Sequence, residues 1–215
     1  MRFGVLGTGT VGQSIAGKLA QLGHEVRMGA RSRGNDKAVA WARQAGAQAS
    51  EGSFADAAAF GEIIFNCTLG GASLEALTAA GAENLRGKIL IDVANPLDFS
   101  KGMPPTLFTG NSDSLGEQIQ RAFPEARVVK TLNTVNSQLM VDPAKLRDAE
   151  HDLFVSGNHM GAKGRVAEIL RTFGWKHIID LGDITTARGT ESYLPLWVRL
   201  WGALQTPDFN IKIVR

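Results

Sequence analysis

Cysteine, histidine and tyrosine are scarce in this chain of 215 residues, which has one cysteine (Cys67), four histidines and one tyrosine. A single cysteine cannot form an internal disulfide. The sequence therefore excludes a disulfide-stabilised scaffold and favours a reduced, intracellular protein whose thiol is buried in a strand. The histidines show none of the HxxH or HExxH spacings of metal sites and have no second cysteine as a partner. We therefore expect no bound metal.

A strong charge of one sign and a long apolar run are also missing. Lysine and arginine number 23, and aspartate and glutamate 21, so the net charge of +2 is too small to indicate a nucleic-acid-binding surface. The longest apolar stretch, Tyr193–Leu204, is interrupted by Arg199 and falls short of the roughly 18 residues of a transmembrane helix. The apolar N-terminus meets glycines too early for a signal peptide. These absences predict a cytoplasmic protein without a membrane or nucleic-acid partner.

Glycine, by contrast, is abundant. The chain has 25 glycines, whereas an average usage of roughly 7% would give about 15 in this length. Gly23, Gly46 and Gly174 each follow a helical pattern and precede a short extended one, which predicts that they end helices. The rest of the surplus requires positions where a side chain would not fit.

Short apolar runs alternate with amphipathic helical patterns along the chain. The predicted strands are Phe3–Leu6, Glu25–Met28, Ile63–Asn66, Lys88–Val93, Arg127–Lys130, Leu153–Ser156 and His177–Leu181. The predicted helical segments are Val11–Leu22, Asp36–Gln44, Ser73–Ala80, Ser114–Phe123, Ala162–Thr172 and most of Asp183–Leu204, with a long loop over Asn95–Ser114 and an extended tail over Pro207–Arg215. This alternation predicts an α/β fold, a Rossmann-like doubly wound and mostly parallel sheet with a small C-terminal helical extension.

The first strand leads into a glycine motif of the form GxGxxG, formed by Gly7, Thr8, Gly9, Thr10, Val11 and Gly12. The motif follows a strand, opens a helix and precedes a second strand, which is the context that dinucleotide binding requires. Gly7 would permit the tight turn, Gly9 would let the backbone approach the pyrophosphate, and Gly12 would let helix and strand pack closely. The amides at the start of the helix would then face the phosphates. The motif therefore predicts a dinucleotide site.

The residues after the second predicted strand favour NADP over NAD. Proteins that select NAD place an acidic residue there, whereas this chain has Arg31, Ser32 and Arg33, with Lys37 one turn into the next helix. Two guanidinium groups and a hydroxyl would bind a 2′-phosphate, and Lys37 would add a positive charge.

Ligands of open α/β sheets lie outside the carboxyl ends of the strands, which places the nicotinamide beside the residues that follow three predicted strands. These residues are Thr68, Leu69, Asn95, Pro96 and Asn133, with Gly70, Gly71 and Asn136 beside them. Each asparagine is equally consistent with a turn residue that bonds its own backbone. No dedicated general acid is evident, so the catalytic residues are unknown at this point. Trp197 and Trp201, four residues apart, are more typical of a core or subunit-interface stripe than of a ligand site.

Five segments carry a family resemblance: Phe3–Gly12, Leu22–Val26, Ala30–Arg33, Ile91–Pro96 and Val128–Thr134. Together they resemble the NADPH-dependent reductases of the deazaflavin coenzyme F420, and the match covers nearly the whole chain. The N-terminal segments are also similar to the reductase domain of the membrane ferric reductases and to the coenzyme domain of the pyrroline-carboxylate reductases.

The resemblance implies an NADP-binding Rossmann domain over residues 1–135 and a smaller C-terminal portion, residues 136–215, that closes the acceptor cleft. It also implies a homodimer and direct hydride transfer between NADP(H) and a small flat acceptor, a deazaflavin (F420) or a flavin. Two alternatives stay open: an imine, carbonyl or ferric reductase, and an NADPH-sensing module without turnover. An imine or carbonyl reductase would need a proton donor, for which the chain offers Thr131, Thr134 or Tyr193.

Overall fold

Ten strands account for the extended segments in the computed structural model, which describes residues 1–215. They are β1 Arg2–Leu6, β2 Glu25–Ala30, β3 Ala49–Ser53, β4 Ile63–Asn66, β5 Ile89–Asp92, β6 Leu97–Asp98, β7 Thr106–Leu107, β8 Arg127–Thr131, β9 Asp152–Ser156 and β10 His177–Gly182. Eight of them form one sheet in the order β10-β9-β8-β5-β4-β1-β2-β3, while β6 and β7 form a separate two-stranded hairpin.

Neighbouring strands of the large sheet are parallel except for β8 and β9, which are antiparallel. The predicted Rossmann-like, mostly parallel sheet is therefore confirmed. The chain adds β2 and β3 on one side of β1 and then returns to add β4, β5 and β8 on the other side. The strand order thus reverses between β1 and β4, and ligands of such sheets bind in the crevice at this reversal.

Ten α-helices connect the strands: α1 Thr10–Gln21, α2 Asp36–Ala45, α3 Phe54–Phe60, α4 Gly70–Ala80, α5 Ala82–Leu85, α6 Leu115–Ala122, α7 Ser137–Val141, α8 Met160–Thr172, α9 Ala187–Ser192 and α10 Leu194–Leu204. Short 3₁₀ turns cover Pro143–Lys145, Arg147–Ala149 and Ile184–Thr186. None of the helices combines the length and the apolarity that crossing a membrane would take.

The two faces of the sheet carry separate apolar clusters because successive side chains of a strand point to opposite sides. In β1, Phe3 and Val5 belong to a cluster of 26 buried residues that α1, α2, α7 and α8 cover. Leu6 belongs to a second cluster of 18 buried residues, covered by α3, α4 and α6. Helices therefore pack on both faces, which leaves the carboxyl edge of the parallel strands open.

The predicted helix ends at Gly23, Gly46 and Gly174 are confirmed, with φ angles of 81°, 83° and 108°. Two other predictions need correction, and two elements were missed. Helix α4 begins at Gly70 rather than Ser73, because Leu69 already has the extended backbone of an N-terminal cap. The segment predicted as one long loop contains the β6–β7 hairpin. Finally, strand β3 and helix α3 were not predicted.

Candidate functional site

The glycine turn joins β1 to α1, and the packing of the chain requires two of its three glycines. Gly7 has φ 118°, and a Cβ there would lie 2.6 Å from the carbonyl oxygen of Cys67. A Cβ at Gly12 would collide with the carbonyl of Gly7. Gly9 has φ −76° and ψ −178°, which any residue adopts, and a Cβ there would meet nothing within 4 Å. The protein's own packing therefore explains Gly7 and Gly12 but leaves the space beside Gly9 open.

Helix α1 starts at this open space without a capping side chain. The first amides of a helix have no intrahelical acceptor, and together with the helix dipole they form a binding site for anions. The turn therefore presents uncapped amides and an unobstructed backbone to a ligand.

Two adjoining cavities lie along the carboxyl edge of the sheet. The glycine-turn cavity, of about 800 Å³, is bounded by the turn, the end of β2 and one face of α4. The aromatic cavity, of about 590 Å³, is bounded by the ends of β4 and β5, the β6–β7 hairpin and α10. Both cavities are lined by Val11, Cys67, Thr68, Leu69 and Ala72, so the two spaces meet at the end of β4.

The structure brings most of the predicted site residues onto these walls. The glycine-turn cavity is lined by Gly7, Thr8, Gly9, Thr10, Val11, Arg31, Thr68 and Leu69. The aromatic cavity is lined by Val11, Thr68, Leu69, Asn95 and Asn133. The predicted residues that line neither cavity are Gly12, Ser32, Arg33, Lys37 and Pro96.

The two arginines of the predicted phosphate clamp have different surroundings. Arg31 lines the glycine-turn cavity, and no carboxylate pairs with it. Arg33 donates from Nε and Nη2 to Asp56, at 2.6 and 2.5 Å. This hydrogen bond, aided by bonds from Ser53, holds the pKa of Asp56 well below its usual range. Arg31 is therefore free toward the cavity, whereas Arg33 is held by a carboxylate.

Two residues near this clamp were not singled out in the sequence. Asn35 lines the glycine-turn cavity and caps α2 by accepting a hydrogen bond from the amide of Ala38 at 3.2 Å. Glu51, on the edge strand β3, accepts from the amide of Gly34 at 3.0 Å. The loop of residues 31–35 that follows β2 has no acidic residue, yet β3 brings the carboxylate of Glu51 beside this loop. An asparagine just before a helical pattern was a visible signal for Asn35, but none was visible for Glu51.

The aromatic cavity is apolar and has no charged side chain on its wall. Its outer side is formed by Phe99, Met103 and Pro105 from the hairpin segment and by Leu194, Trp197, Val198 and Trp201 from α10. The indole Nε1 of Trp197 is buried and has no hydrogen-bond partner. The tryptophan stripe thus lines a cavity instead of the buried core of the chain, while the alternative of a subunit-interface stripe stays a prediction. A flat ring with a carbonyl group at its edge would satisfy both the stacking surface and the unpaired donor.

Asn95 and Asn133 form a pair between the ends of β5 and β8. The Asn133 amide donates to Asn95 Oδ1 at 2.9 Å, and the Asn95 amide donates to the Asn133 carbonyl at 2.8 Å. Asn136 also lines the aromatic cavity; its side-chain oxygen caps α7 by accepting from the amide of Gln138 at 2.9 Å, and its amide donates to the carbonyl oxygen of Pro207 at 2.7 Å. The local turn interpretation therefore holds only for the side-chain oxygen of Asn136, while Asn95 and Asn133 join two strands at the cavity wall.

A buried charge cluster behind this wall was not identified from the sequence. Lys130 Nζ lies 2.8 Å from Asp92 Oδ2 and 2.8 Å from Glu191 Oε1, and all three side chains are at most 1% exposed. Burial lowers the pKa of Lys130, but the two carboxylates outweigh burial and raise it overall, so the ammonium form is stable. A charged residue at the end of an otherwise apolar strand was the visible signal for Asp92 and Lys130.

The walls of the aromatic cavity include no group suited to proton transfer. Cys67 was expected to be buried in a strand, but it follows the end of β4 and is only partly buried, at the junction of the two cavities. Desolvation, and secondly the charge of Asp92, raise the pKa of its thiol, so it stays protonated and is a poor nucleophile. Thr131 donates to the carbonyl of Phe154 at 2.8 Å, and neither Thr134 nor Tyr193 lines either cavity. No group of three or more histidine, cysteine, aspartate or glutamate residues is arranged to hold a metal ion. The aromatic cavity therefore binds and orients ligands without a dedicated acid or base, and the one carboxylate on the walls of the two cavities is Glu75, in the glycine-turn cavity.

Comparison with known proteins gives three informative matches. The family model for "NADP oxidoreductase coenzyme F420-dependent" matches residues 2–96. A crystal structure from Arthrobacter sp. FB24, of a candidate F420-dependent NADP-reductase, is 57% identical, covers 100% of both chains and superposes with a TM-score of 0.96. The F420-dependent NADP reductase of Methanothermobacter marburgensis is 27% identical over 211 residues, which is 93% of this chain and 92% of that protein.

The rat metalloreductase STEAP3 is 29% identical over 202 residues, which is 91% of this chain but only 38% of STEAP3. The chain thus spans well under half of that relative, and nothing about the rest of STEAP3 transfers to it. The Arthrobacter structure, in contrast, matches from end to end. On this full-length likeness and the family-model match, the chain belongs to the family of coenzyme F420-dependent NADP oxidoreductases.

Proposed function

We propose that this protein transfers a hydride between NADP(H) and a flat acceptor, a deazaflavin such as F420 or a flavin. The observation that carries the proposal is the meeting of two cavities at Thr68 and Leu69, one beside an uncapped helix start and the other apolar and aromatic. A dinucleotide in the first cavity would place its nicotinamide at this junction, next to an acceptor in the second.

The glycine turn, residues Gly7 to Gly12, would bind the pyrophosphate. The space left open at Gly9 supports this assignment, because no other contact in the chain requires a glycine there. The uncapped amides at the start of α1 would donate to the phosphate oxygens. Gly12 would act indirectly, since its missing side chain lets α1 pack against Gly7.

Arg31 would bind the 2′-phosphate directly, because it lines the glycine-turn cavity with an unpaired guanidinium. Ser32, Arg33 and Lys37 lie in the same loop and the following helix, and we assign them to the outer side of the phosphate. To bind the phosphate, Arg33 would have to break at least one of its two hydrogen bonds to Asp56.

The nicotinamide would lie against Thr68 and Leu69, with Asn95, Pro96 and Asn133 around it. The coenzyme supplies the hydride, and the protein positions the two ligands. Hydride transfer between two rings that are held face to face needs no acid from the chain. The acceptor ring would stack on the aromatic wall, and the unpaired indole N–H of Trp197 would donate to a ring carbonyl.

We further propose that residues 1–135 form the NADP-binding part, and that residues 136–215 close the acceptor cleft through α10. A cytoplasmic homodimer completes the proposal. In support, α10 exposes Leu196 and Leu204 at 55% and 53% beside the cavity wall, and apolar side chains in that position are suited to a subunit interface.

The deciding experiment measures NADPH oxidation with F420, FMN, riboflavin and a ferric chelate as separate acceptors. Turnover with F420 or a flavin supports the proposal. Turnover with the ferric chelate alone, without flavin, would favour the metalloreductase alternative that the STEAP3 likeness raises. Tight NADPH binding without turnover on any of them would favour an NADPH-sensing module.

A further inference from the structure

The Asp92–Lys130–Glu191 cluster carries more negative than positive charge. Its two carboxylates face a single ammonium, which leaves one buried negative charge in excess. Lys130 also donates to the carbonyl oxygen of Ala94 and so has no donor left for a further anion. A buried charge without a counter-charge destabilises the folded state, so we infer that the cluster has a role other than stabilising the fold.

Hydrogen bonds to neutral groups stabilise the two carboxylates without cancelling the excess. Glu191 accepts from the amides of Leu115 and Gly116, at 2.7 and 3.0 Å, at the start of α6. The N-terminal end of a helix is equivalent to roughly half a positive charge. Asp92 accepts from the Asn66 amide at 2.8 Å and from the Ala94 backbone at 3.2 Å. The cluster therefore remains negative overall.

Short contacts connect the cluster to the junction of the two cavities. Thr68, which lines both cavities, donates to Asn66 Oδ1 at 2.7 Å, and Asn66 donates in turn to Asp92. The negative charge of Asp92 also raises the pKa of Cys67, which lies at the same junction, although burial is the larger cause. The electrostatic influence of the cluster thus extends to the place that the proposed function gives to the nicotinamide.

On the aromatic side of the junction, no charged side chain opposes this influence. The aromatic cavity has no charged lining residue, and its surroundings are mostly apolar. Charges act over longer distances in such an environment than they do in water. The excess charge of the cluster therefore acts from behind the aromatic wall of the junction, whereas Arg31 and Glu75 lie on the wall of the glycine-turn cavity.

We propose that this excess negative charge makes the site favour the oxidised, positively charged nicotinamide of NADP⁺ over the neutral ring of NADPH. The inference rests on the proposed function, because it assumes that the nicotinamide lies at the junction. A dihydronicotinamide that gives a hydride, one proton with two electrons, to the acceptor is left with one positive charge. Asp92, Lys130 and Glu191 are thus positioning residues that make bound NADPH a stronger hydride donor without touching the reacting atoms.

The test compares the dissociation constants of NADP⁺ and NADPH by isothermal titration calorimetry, with no acceptor present. The wild-type protein is expected to bind NADP⁺ at least as tightly as NADPH. Glu191→Gln, which makes the cluster neutral, is expected to weaken NADP⁺ relative to NADPH by about three- to tenfold. Asp92→Asn is expected to shift the ratio in the same direction and serves if Glu191→Gln does not fold.

The matched control is Glu117→Gln. Glu117 is also a buried carboxylate near the start of α6, but it pairs with Arg188 and lines neither cavity. This variant is expected to leave the ratio unchanged. An unchanged ratio in folded Glu191→Gln and Asp92→Asn, or tighter binding of NADPH than of NADP⁺ by the wild type, would overturn the inference. Failure of the wild type to bind either nucleotide would instead refute the proposed function.

Discussion

At the residue scale, a side chain added at Gly9 would affect ligand binding without affecting the packing of the protein. Gly9→Val is expected to fold normally, because its backbone suits any residue and its Cβ would meet nothing within 4 Å. The valine would occupy the space that the pyrophosphate needs, so we expect NADPH affinity to fall by more than about tenfold. Calorimetric titration and thermal unfolding measure the two properties separately.

The control for this prediction is Gly12→Ala, whose Cβ would collide with the carbonyl of Gly7. It is expected to lower the unfolding temperature as well as the affinity. Native NADPH affinity in Gly9→Val would show that the glycine turn does not bind the coenzyme.

Coenzyme choice also depends on single residues. Replacing Arg31 and Arg33 together by alanine is expected to remove roughly 2–4 kcal/mol of preference for NADPH over NADH, because charged hydrogen bonds to the 2′-phosphate are lost. Arg31→Ala alone should account for most of this, since Arg33 is paired with Asp56. The ratio of the dissociation constants of NADPH and NADH measures the effect, and an unchanged ratio in the double variant would refute the assignment.

At the scale of elements, the sequence predicted the β1–α1–β2 unit because its apolar run, glycines and amphipathic helix all indicate the same structure. It did not predict β3 or α3. Strand β3 has no β-branched residue and pairs only with β2 at the edge of the sheet. Helix α3 is rich in alanine, which hides its periodicity, although Ser53 and Asp56 form the capping box of its first turn.

This capping box makes α3 sensitive to acid. Asp56 has a lowered pKa in the folded protein, chiefly through Arg33 and then Ser53, so its contribution to stability is complete above the ordinary pKa of 3.8 and decreases as the pH falls below it. Asp56→Ala is expected to cost about 1 kcal/mol at neutral pH through the lost cap. Urea unfolding at pH 7 and pH 3 should show a smaller difference between variant and wild type at pH 3, and an equal difference at both would contradict this account.

At the scale of the whole molecule, sequence reasoning predicted which residues meet at the carboxyl edge, because parallel strands bring their ends together. It could not predict contacts between residues that are far apart in the sequence. Lys130, Asp92 and Glu191 are far apart along the chain and meet only because α9 returns to the ends of β5 and β8. Trp197 likewise becomes a cavity wall only because α10 packs beside the β6–β7 hairpin.

The proposed homodimer can be tested on α10, whose Leu196 and Leu204 are half exposed. If a second copy covers them, burying each leucine contributes about 1.5–3 kcal/mol to association. Leu196→Glu with Leu204→Glu is therefore expected to give monomers at micromolar concentration, where the wild type is a dimer, and analytical ultracentrifugation distinguishes the two. Leu22→Glu, at an exposed leucine that follows α1, is the control and should leave the mass unchanged. A monomeric wild type would refute the homodimer, whereas a dimeric double variant would place the interface elsewhere than α10.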